Sequence, residues 1–244
     1  MEDLKLQLIE NRKQSNDCFL LRLKGSAKQM KPGQFLNVAI PNYSLRRPIS
    51  LCDLDEDIIT LLIRINGEGT KYLSQLKEGS ELKALLPLGN GLDLDNFEDE
   101  ILLIGGGVGV APLLYTAKKA HEKGLKIITV LGFRTREDAL LLDEFKKYSD
   151  ELYLSYDEDN ENIVTKILEK DLVNIKFFCC GPTIMMKNVS LNTKADGYFS
   201  LEARMGCGFG ACMGCSFKTI NGNRRICKEG PIFKKEEIIW DSLM

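Results

Sequence analysis

Histidine is almost missing from this chain of 244 residues: it has one, His121, set among Ala120, Glu122 and Lys123 on the polar end of an expected helix. It reads as a surface residue, so chemistry that runs through a histidine relay is not expected. No excess of either charge exists, with 33 Lys and Arg against 35 Asp and Glu and a formal net charge of −2, so nothing electrostatic favours nucleic acid. No apolar run approaches the length of a membrane-spanning helix. The opening Met1-Glu2-Asp3-Leu4-Lys5 lacks the basic and apolar regions of a secretory leader, and the expected location is the cytoplasm. There the eight cysteines are expected to be metal ligands, redox groups or buried thiols before disulfides. The 44% hydrophobic content suffices for the cores of one or two domains.

What the chain does have is a cysteine run embedded in glycine, Met205-Gly206-Cys207-Gly208-Phe209-Gly210-Ala211-Cys212-Met213-Gly214-Cys215, with Cys227 beyond it. The spacing is C-x4-C-x2-C, then eleven residues, then C, which is the plant-type ligand pattern for a [2Fe-2S] cluster. A two-iron core needs four thiolates. The glycines at 206, 208, 210 and 214 are expected to take positive φ angles and to let backbone N–H groups approach the sulfurs. A structural zinc is the plainer alternative, although its cysteines usually come as two similar C-x2-C knuckles. A pair of disulfides is a third reading.

The first hundred residues predict strands at 4–9, 18–23, 35–40, 47–52, 58–65 and 81–86, separated by turn residues, hence an antiparallel barrel or sandwich. A single helix is expected there, from Thr70 to about Leu76. Two strings stand out. In Leu45-Arg46-Arg47-Pro48-Ile49-Ser50 a guanidinium can fork onto phosphate, and the alternative is a solvated strand edge. In Arg64-Ile65-Asn66-Gly67-Glu68-Gly69-Thr70 a glycine turn opens a helix suited to a pyrophosphate, and the alternative is a threonine cap.

From residue 98 the pattern changes. Ile101-Leu102-Leu103-Ile104 is a buried parallel strand, followed at once by Gly105-Gly106-Gly107-Val108-Gly109-Val110-Ala111-Pro112 and a helix over Leu113–Glu122 that Gly124 ends. Strand 126–131, helix 137–147, strand 151–155, helix 162–169 and strand 175–179 continue the alternation, predicting a doubly wound parallel sheet. The glycine string departs from the Rossmann fingerprint, but it sits where a dinucleotide pyrophosphate approaches backbone. Cys180-Gly181-Pro182, at the carboxyl end of the last strand, is expected to face the same crevice, with Cys180 as a contact and not a nucleophile. Cys179 reads as a small buried residue. No catalytic side chain is expected.

With these sites in this order, the chain resembles the ferredoxin-reductase superfamily. Leu201-Glu202-Ala203-Arg204-Met205-Gly206-Cys207-Gly208-Phe209-Gly210-Ala211-Cys212-Met213-Gly214-Cys215 resembles the cluster loop of one family within it, the electron-transfer subunits of type B dihydroorotate dehydrogenase. The resemblance implies an FAD-binding barrel at 1–97, an NAD-binding α/β domain at 98–198 and a [2Fe-2S] region at 199–244. It implies FAD contacts at Arg47, Pro48, Ile49, Ser50, Leu62, Ile63, Arg64, Gly69 and Thr70. NAD contacts are implied at Gly105, Gly106, Gly107, Gly109, Pro112, Cys180, Gly181 and Pro182, and cluster ligands at Cys207, Cys212, Cys215 and Cys227. A flavin is needed because hydride moves electrons in pairs and the cluster takes them singly. The implied partner is an FMN-containing catalytic subunit, two of each chain forming a heterotetramer in pyrimidine biosynthesis. Gly206 stands where alanine is common, and Asp157–Glu161 lacks glycines often found there. The family favours NAD, while Arg134 and Arg136 are placed to reach a 2′-phosphate or to lie in a solvated loop. The basic, partly apolar tail through Trp240 is expected either to dock the partner or to be a solvated end with a stray anchor. The rival readings are a reductase subunit for ferredoxin, a hydrogenase or sulfur, and a non-enzymatic adaptor stapled by zinc.

Overall fold

The computed structural model describes residues 1–25 and 30–243. The alternating N-terminal run becomes β1 (Glu2–Lys13), which continues past residue 9, with Leu6 and Leu8 fully buried. It is followed by β2 (Cys18–Lys24), β3 (Phe35–Val38), β4 (Arg47–Asp55), β5 (Ile58–Arg64) and β6 (Glu81–Leu88). These six close into an antiparallel barrel in the order β1-β2-β5-β4-β3-β6, which settles barrel over sandwich. Inward leucines and isoleucines fill it, and closure leaves no free edge.

The single helix between β5 and β6 is α1 (Glu68–Ser74). It starts two residues before Thr70, with Gly67 at the N-cap and no side-chain cap. Thr70 instead accepts from the Asn66 N–H at 2.7 Å and donates to the Gly67 carbonyl at 3.2 Å, so its hydroxyl ties the first turn from inside.

The second layer system is built on β7 (Glu100–Gly106), whose residues Ile101–Ile104 are wholly buried. A 3-10 turn over Gly107–Val110 leads into α2 (Ala111–Lys123), which Gly124 closes in the left-handed region. Then come β8 (Lys126–Phe133), α3 (Leu142–Tyr148), β9 (Glu151–Tyr156), α4 (Ile163–Glu169) and β10 (Phe177–Cys180). The helix expected over 137–147 is broken: a 3-10 turn at Arg136–Asp138 and α3 flank Leu140 and Leu141, both buried, with Leu141 at φ 58°. The left-handed backbone at Leu141 interrupts the run of helical residues, and α3 starts directly after it.

Past residue 180 the sequence carries no expectation of helix or strand, and the structure has α5 (Thr183–Asn192), β11 (Gly197–Ser200), a hairpin of two short strands and, near the chain end, β14 (Ile232–Lys234). The sheet runs β9-β8-β7-β10-β11 in parallel, and β14 adds an antiparallel edge. β11 crosses residues 198 and 199, so the sheet takes strands from both sides of that expected boundary. The order reverses between β7 and β10, which makes the carboxyl ends of those strands the topological switch point. Between β11 and β14 lies a hairpin of β12 (Ser216–Thr219) and β13 (Gly222–Arg225).

Barrel and sheet are fastened at several points. Lys118 on α2 reaches Asp53 at 3.3 Å and the Leu54 carbonyl at 3.1 Å on β4. Asn90, just past the barrel, donates to the Ile232 carbonyl and accepts from the Ile232 N–H, mimicking a strand partner for β14. The tail is anchored on the sheet by Ile238, which is buried, and by Trp240, edge-on to Phe199 at 5.0 Å, while Asp241 and Ser242 are exposed. Among the described residues no helix is long and apolar enough to cross a membrane.

Phe199 is fully buried between Phe177 and Trp240. Phe199→Ala should cost about 3–5 kcal/mol. Urea unfolding followed through the fluorescence of Trp240, the one tryptophan, checks this.

Candidate functional site

Two cavities meet along the seam between barrel and sheet. The barrel-side cavity, of 360 Å³, is walled by Pro48, Ile49 and Ser50 of β4, Leu62, Ile63 and Arg64 of β5, and Thr70 of α1. Arg47 and Gly69 adjoin it as a pair: a Cβ on Gly69 would lie 2.5 Å from the Arg47 Nε, so the glycine lets the guanidinium lie against the helix. Arg47 is further held by the Leu45 carbonyl at 2.6 Å and stacks over Tyr43.

The sheet-side cavity, of 470 Å³, opens over the carboxyl ends of β7, β8 and β9 and is lined by Gly106, Gly107 and Pro182 together with Arg134, Asp138 and Asp157. Arg64 and Val108 line both cavities and separate them. Arg64 is positioned by Asp17, 2.7 Å from its Nε, whose carboxyl the guanidinium helps to hold below its ordinary range against the opposing effect of burial.

Not every glycine-loop residue touches the crevice. Gly105 packs under Leu113, Val110 and Leu131. A Cβ on Gly109 would lie 2.6–2.7 Å from the backbone of Cys180 and Gly181, so only a glycine lets the two loops close on each other. Pro112 lines the barrel-side cavity and not the sheet-side one, because α2 begins at Ala111 and turns its first residues toward the barrel. Cys180 is 2% exposed and lines neither cavity, since β10 runs to residue 180 and points this side chain into the core. Burial, with the nearby Glu202 charge adding, pushes its thiol well above the usual range, which suits no nucleophile. Glu202 lies beside it, facing the barrel-side cavity, and the surrounding protein raises its carboxyl pKa by desolvation. His121 is exposed, as expected, and its ring lies near that of Tyr148.

The four cysteines of the C-terminal loop fall into two pairs. Cys207 and Cys212 each turn their backbone N–H toward the other's sulfur at 3.4 Å. Cys215 and Cys227 stand with sulfurs 3.2 Å apart, unbridged. Ten of the eleven residues between them, Ser216–Arg225, are the β12–β13 hairpin, which folds back so that the two cysteines flank its base. Its two-residue turn, Ile220-Asn221, was not read from the sequence. Of the four loop glycines, Gly208 and Gly210 take positive φ, joined by Met213 at 59°. Gly206 serves instead by closeness, since a Cβ there would lie 3.2 Å from the Cys212 sulfur, while a Cβ on Gly214 would make an ordinary contact with that atom at 3.5 Å.

Backbone donors dominate the loop's electrostatics. Burial opposes ionisation of Cys207, but N–H groups of Cys212, Phe209 and Ala211 outweigh it and bring its thiol down to about 6. Burial and the adjacent Cys215 push Cys227 up to about 12. No three potential ligands converge on one point among the described residues. The two thiol pairs, Cys207 with Cys212 and Cys215 with Cys227, suit a two-metal core with two thiolates on each metal. A single tetrahedral zinc needs four ligands about one centre. The donor set is all sulfur, which fits iron–sulfur chemistry.

The loop is anchored at two ends. On the barrel side Asn37 Nδ2 donates to the Cys207 carbonyl at 3.0 Å. On the other, Arg225 donates to the Gly210 carbonyl and closes a bidentate pair with Glu229. That pair holds the Glu229 carboxyl down from 4.5 to about 2. Neither Asn37 nor Arg225 is marked by any motif, since both act through tertiary contacts.

The family described as the iron-sulfur cluster binding domain of dihydroorotate dehydrogenase B matches residues 202–239, and the oxidoreductase NAD-binding domain matches residues 103–190. The chain is 37% identical to the dihydroorotate dehydrogenase B (NAD(+)) electron transfer subunit of Fusobacterium nucleatum, over 94% of this chain and 95% of the relative. It is 38% identical to the subunit of the same name from Clostridium acetobutylicum, over 96% of each chain. Among solved structures, it is similar to a chain of an NADH-dependent reduced ferredoxin-NADP oxidoreductase studied for flavin-based electron bifurcation, with TM-score 0.86 and 31% identity over 98% of this chain and 91% of that one. Phthalate dioxygenase reductase, at 18% identity and TM-score 0.71 over 89% of this chain and 87% of that one, shares the fold.

Because the Glu229 pKa is depressed on folding, its contribution to stability is full above about 4.5 and is lost as pH falls toward about 2. The stability gap between wild type and Glu229→Gln should thus be constant near neutrality and shrink progressively below pH 4.5, as urea titrations at stepped pH would show.

Proposed function

Since the chain belongs to the family of electron-transfer subunits of dihydroorotate dehydrogenase B, we propose that it carries electrons between NAD(H), FAD and a [2Fe-2S] cluster, to or from an FMN-containing catalytic subunit that converts dihydroorotate to orotate with NAD+ as final acceptor, in pyrimidine biosynthesis. The observation that carries this reading is the adjacency of three places in one fold. Two cavities share the wall made by Arg64 and Val108, and Met205, on the wall of the barrel-side cavity, stands two residues before the first paired cysteine.

In this reading Arg47 with Gly69 and Thr70 holds the phosphate end of FAD, while Pro48, Ile49, Ser50, Leu62, Ile63 and Arg64 wall its ring. Gly106, Gly107 and Pro182 receive NAD, and Gly105, Gly109, Cys180 and Gly181 shape the loops behind them without contributing side chains to the crevice. When bound, the flavin supplies the exchange between paired and single electrons that nicotinamide and cluster require. The chain's own part is positional. Asp17 fixes Arg64 at the junction of the cavities, where Val108 lines both and the two ligands would meet. Glu202 lines the barrel-side cavity with its side chain still exposed, and the surrounding protein raises its carboxyl pKa. Cys207, Cys212, Cys215 and Cys227 hold the cluster.

Exposed apolar side chains around that loop, Phe209, Met213 and Ile220, support a docked partner beside the exposed Cys212. We place the assembly in the cytoplasm, as two copies of each subunit. A second reading, a reductase subunit serving ferredoxin or another acceptor, is favoured by the likeness to the NADH-dependent ferredoxin-NADP oxidoreductase chain. The zinc adaptor is disfavoured by the family match and the paired thiols.

Anaerobically purified chain should contain iron and acid-labile sulfide in equal amounts, bind FAD, and oxidise NADH with artificial acceptors while leaving dihydroorotate untouched. Pull-down from its source should bring an FMN protein that restores dihydroorotate turnover. Unaided conversion of dihydroorotate contradicts the proposal, and recovery of a different acceptor with no FMN protein favours the second reading.

A further inference from the structure

Two short turns follow β8 and β9 at the far end of the sheet-side cavity, where the ribose of a bound dinucleotide distant from the flavin would lie. This inference rests on reading that cavity as the nicotinamide-dinucleotide site. The turns are stapled together. The Glu158 N–H donates to the Arg134 carbonyl at 3.0 Å, and the Arg136 N–H donates to Glu158 Oε1 at 2.9 Å.

Arg136 is the residue to which a 2′-phosphate would naturally turn, yet its guanidinium is already engaged. Nη1 donates to Glu158 at 2.8 Å and to Asp159 at 3.1 Å, and Nη2 donates to Asp159 at 2.7 Å. The face of the guanidinium lies 4.7 Å from the centre of the Tyr156 ring. Surface ion pairs are generally weak, but a bidentate arginine held by two carboxylates and an aromatic face is the exception. Arg136 does not line the cavity.

The charges that do line it tell the same story. Its cations are Arg64 and Arg134, and its acids are Asp17, Asp138 and Asp157. Arg64 is paired with Asp17. The lining as a whole therefore carries three carboxylates against two guanidinium groups, an excess of one negative charge. A ribose 2′-hydroxyl can donate to a carboxylate such as Asp157. A 2′-phosphate, carrying roughly −1.5 to −2 charges, is repelled by it.

We propose that the Asp157-Glu158-Asp159 turn makes this crevice selective for the dinucleotide without a 2′-phosphate, Asp157 by lining the ribose end with negative charge and Glu158 and Asp159 by holding Arg136 outside it. The two roles separate experimentally, because Glu158 and Asp159 touch neither cavity.

The test uses the flavin- and cluster-loaded chain with ferricyanide as acceptor, and compares kcat/KM for NADH and NADPH. Wild type should prefer NADH. Glu158→Gln with Asp159→Asn should shift the ratio toward NADPH by about tenfold, chiefly through KM for NADPH, as a freed arginine meets the phosphate. Adding Arg136→Ala to that pair should abolish the gain. Independently of any variant, AMP should inhibit wild-type NADH oxidation more strongly than 2′-phospho-AMP. Equal or stronger inhibition by 2′-phospho-AMP, or an unchanged ratio in a folded, flavin-loaded double variant, overturns the proposal. Absence of NADH oxidation by loaded wild type would instead remove the dinucleotide reading on which it stands.

Discussion

A buried amide holds the barrel to the cluster loop, and the electron path depends on it. Asn37 is 1% exposed, and its Nδ2 meets the Cys207 carbonyl at 3.0 Å. On the same rung of the barrel Asn37 pairs with Pro48, a wall of the barrel-side cavity, so one rung carries both the wall and the anchor of the cysteine loop. The contact tolerates nothing between its partners. A Cβ on Gly208 would lie 2.3 Å from Asn37 Nδ2, and Gly208 also sits at φ 77°, so two separate constraints demand glycine there. Asn37 Oδ1 is buried with no protein partner among the described residues, a cost that a packing residue of similar volume would avoid. Its retention makes sense if position, and not stability, is what the residue supplies.

The same economy of distance runs through the fold. The C-terminal region does not hang from the sheet as a separate module. It lends β14 to the sheet edge, borrows Asn90 from the barrel side as a pairing partner, and seats Trp240 on Phe199. Barrel, sheet and cluster loop thereby share interlocked packing, which keeps two cavities and four thiols at fixed separations. Electrons that arrive as a pair and leave singly need sites that do not drift apart.

Much of this was legible in the residues. The cysteine spacing, the continuous apolar strand at Ile101–Ile104 and the glycines after it each encode local physics: thiolate reach, a strand buried on both faces, and backbone exposed for approach. The strands of the barrel followed from alternation. What escaped reading was tertiary. No local pattern says that Pro112 turns toward the barrel or that Cys180 points into the core, since both depend on where α2 and β10 dock. The hairpin between Cys215 and Cys227 was hidden because Lys218, Asn223 and Arg224 give it little hydrophobic alternation. The break in the helix expected over 137–147 has no local signal, because a run of leucines suits a helix and a buried loop equally well. Arg136 could be flagged as a phosphate ligand from sequence, but only the packed turns reveal that its hydrogen bonds are already spent.

In the proposed function this one chain converts electron pairs into single electrons between a dinucleotide crevice and a thiolate-held cluster. Anaerobic titration of the loaded chain with NADH, followed by visible absorption and low-temperature electron paramagnetic resonance, tests it most directly. The account predicts that the flavin bleaches and that a paramagnetic signal of the reduced cluster grows in the same titration, with uptake of two electrons per flavin and one per cluster. Bleaching of the flavin with the cluster left oxidised, in protein shown to contain its iron and sulfide, would contradict it.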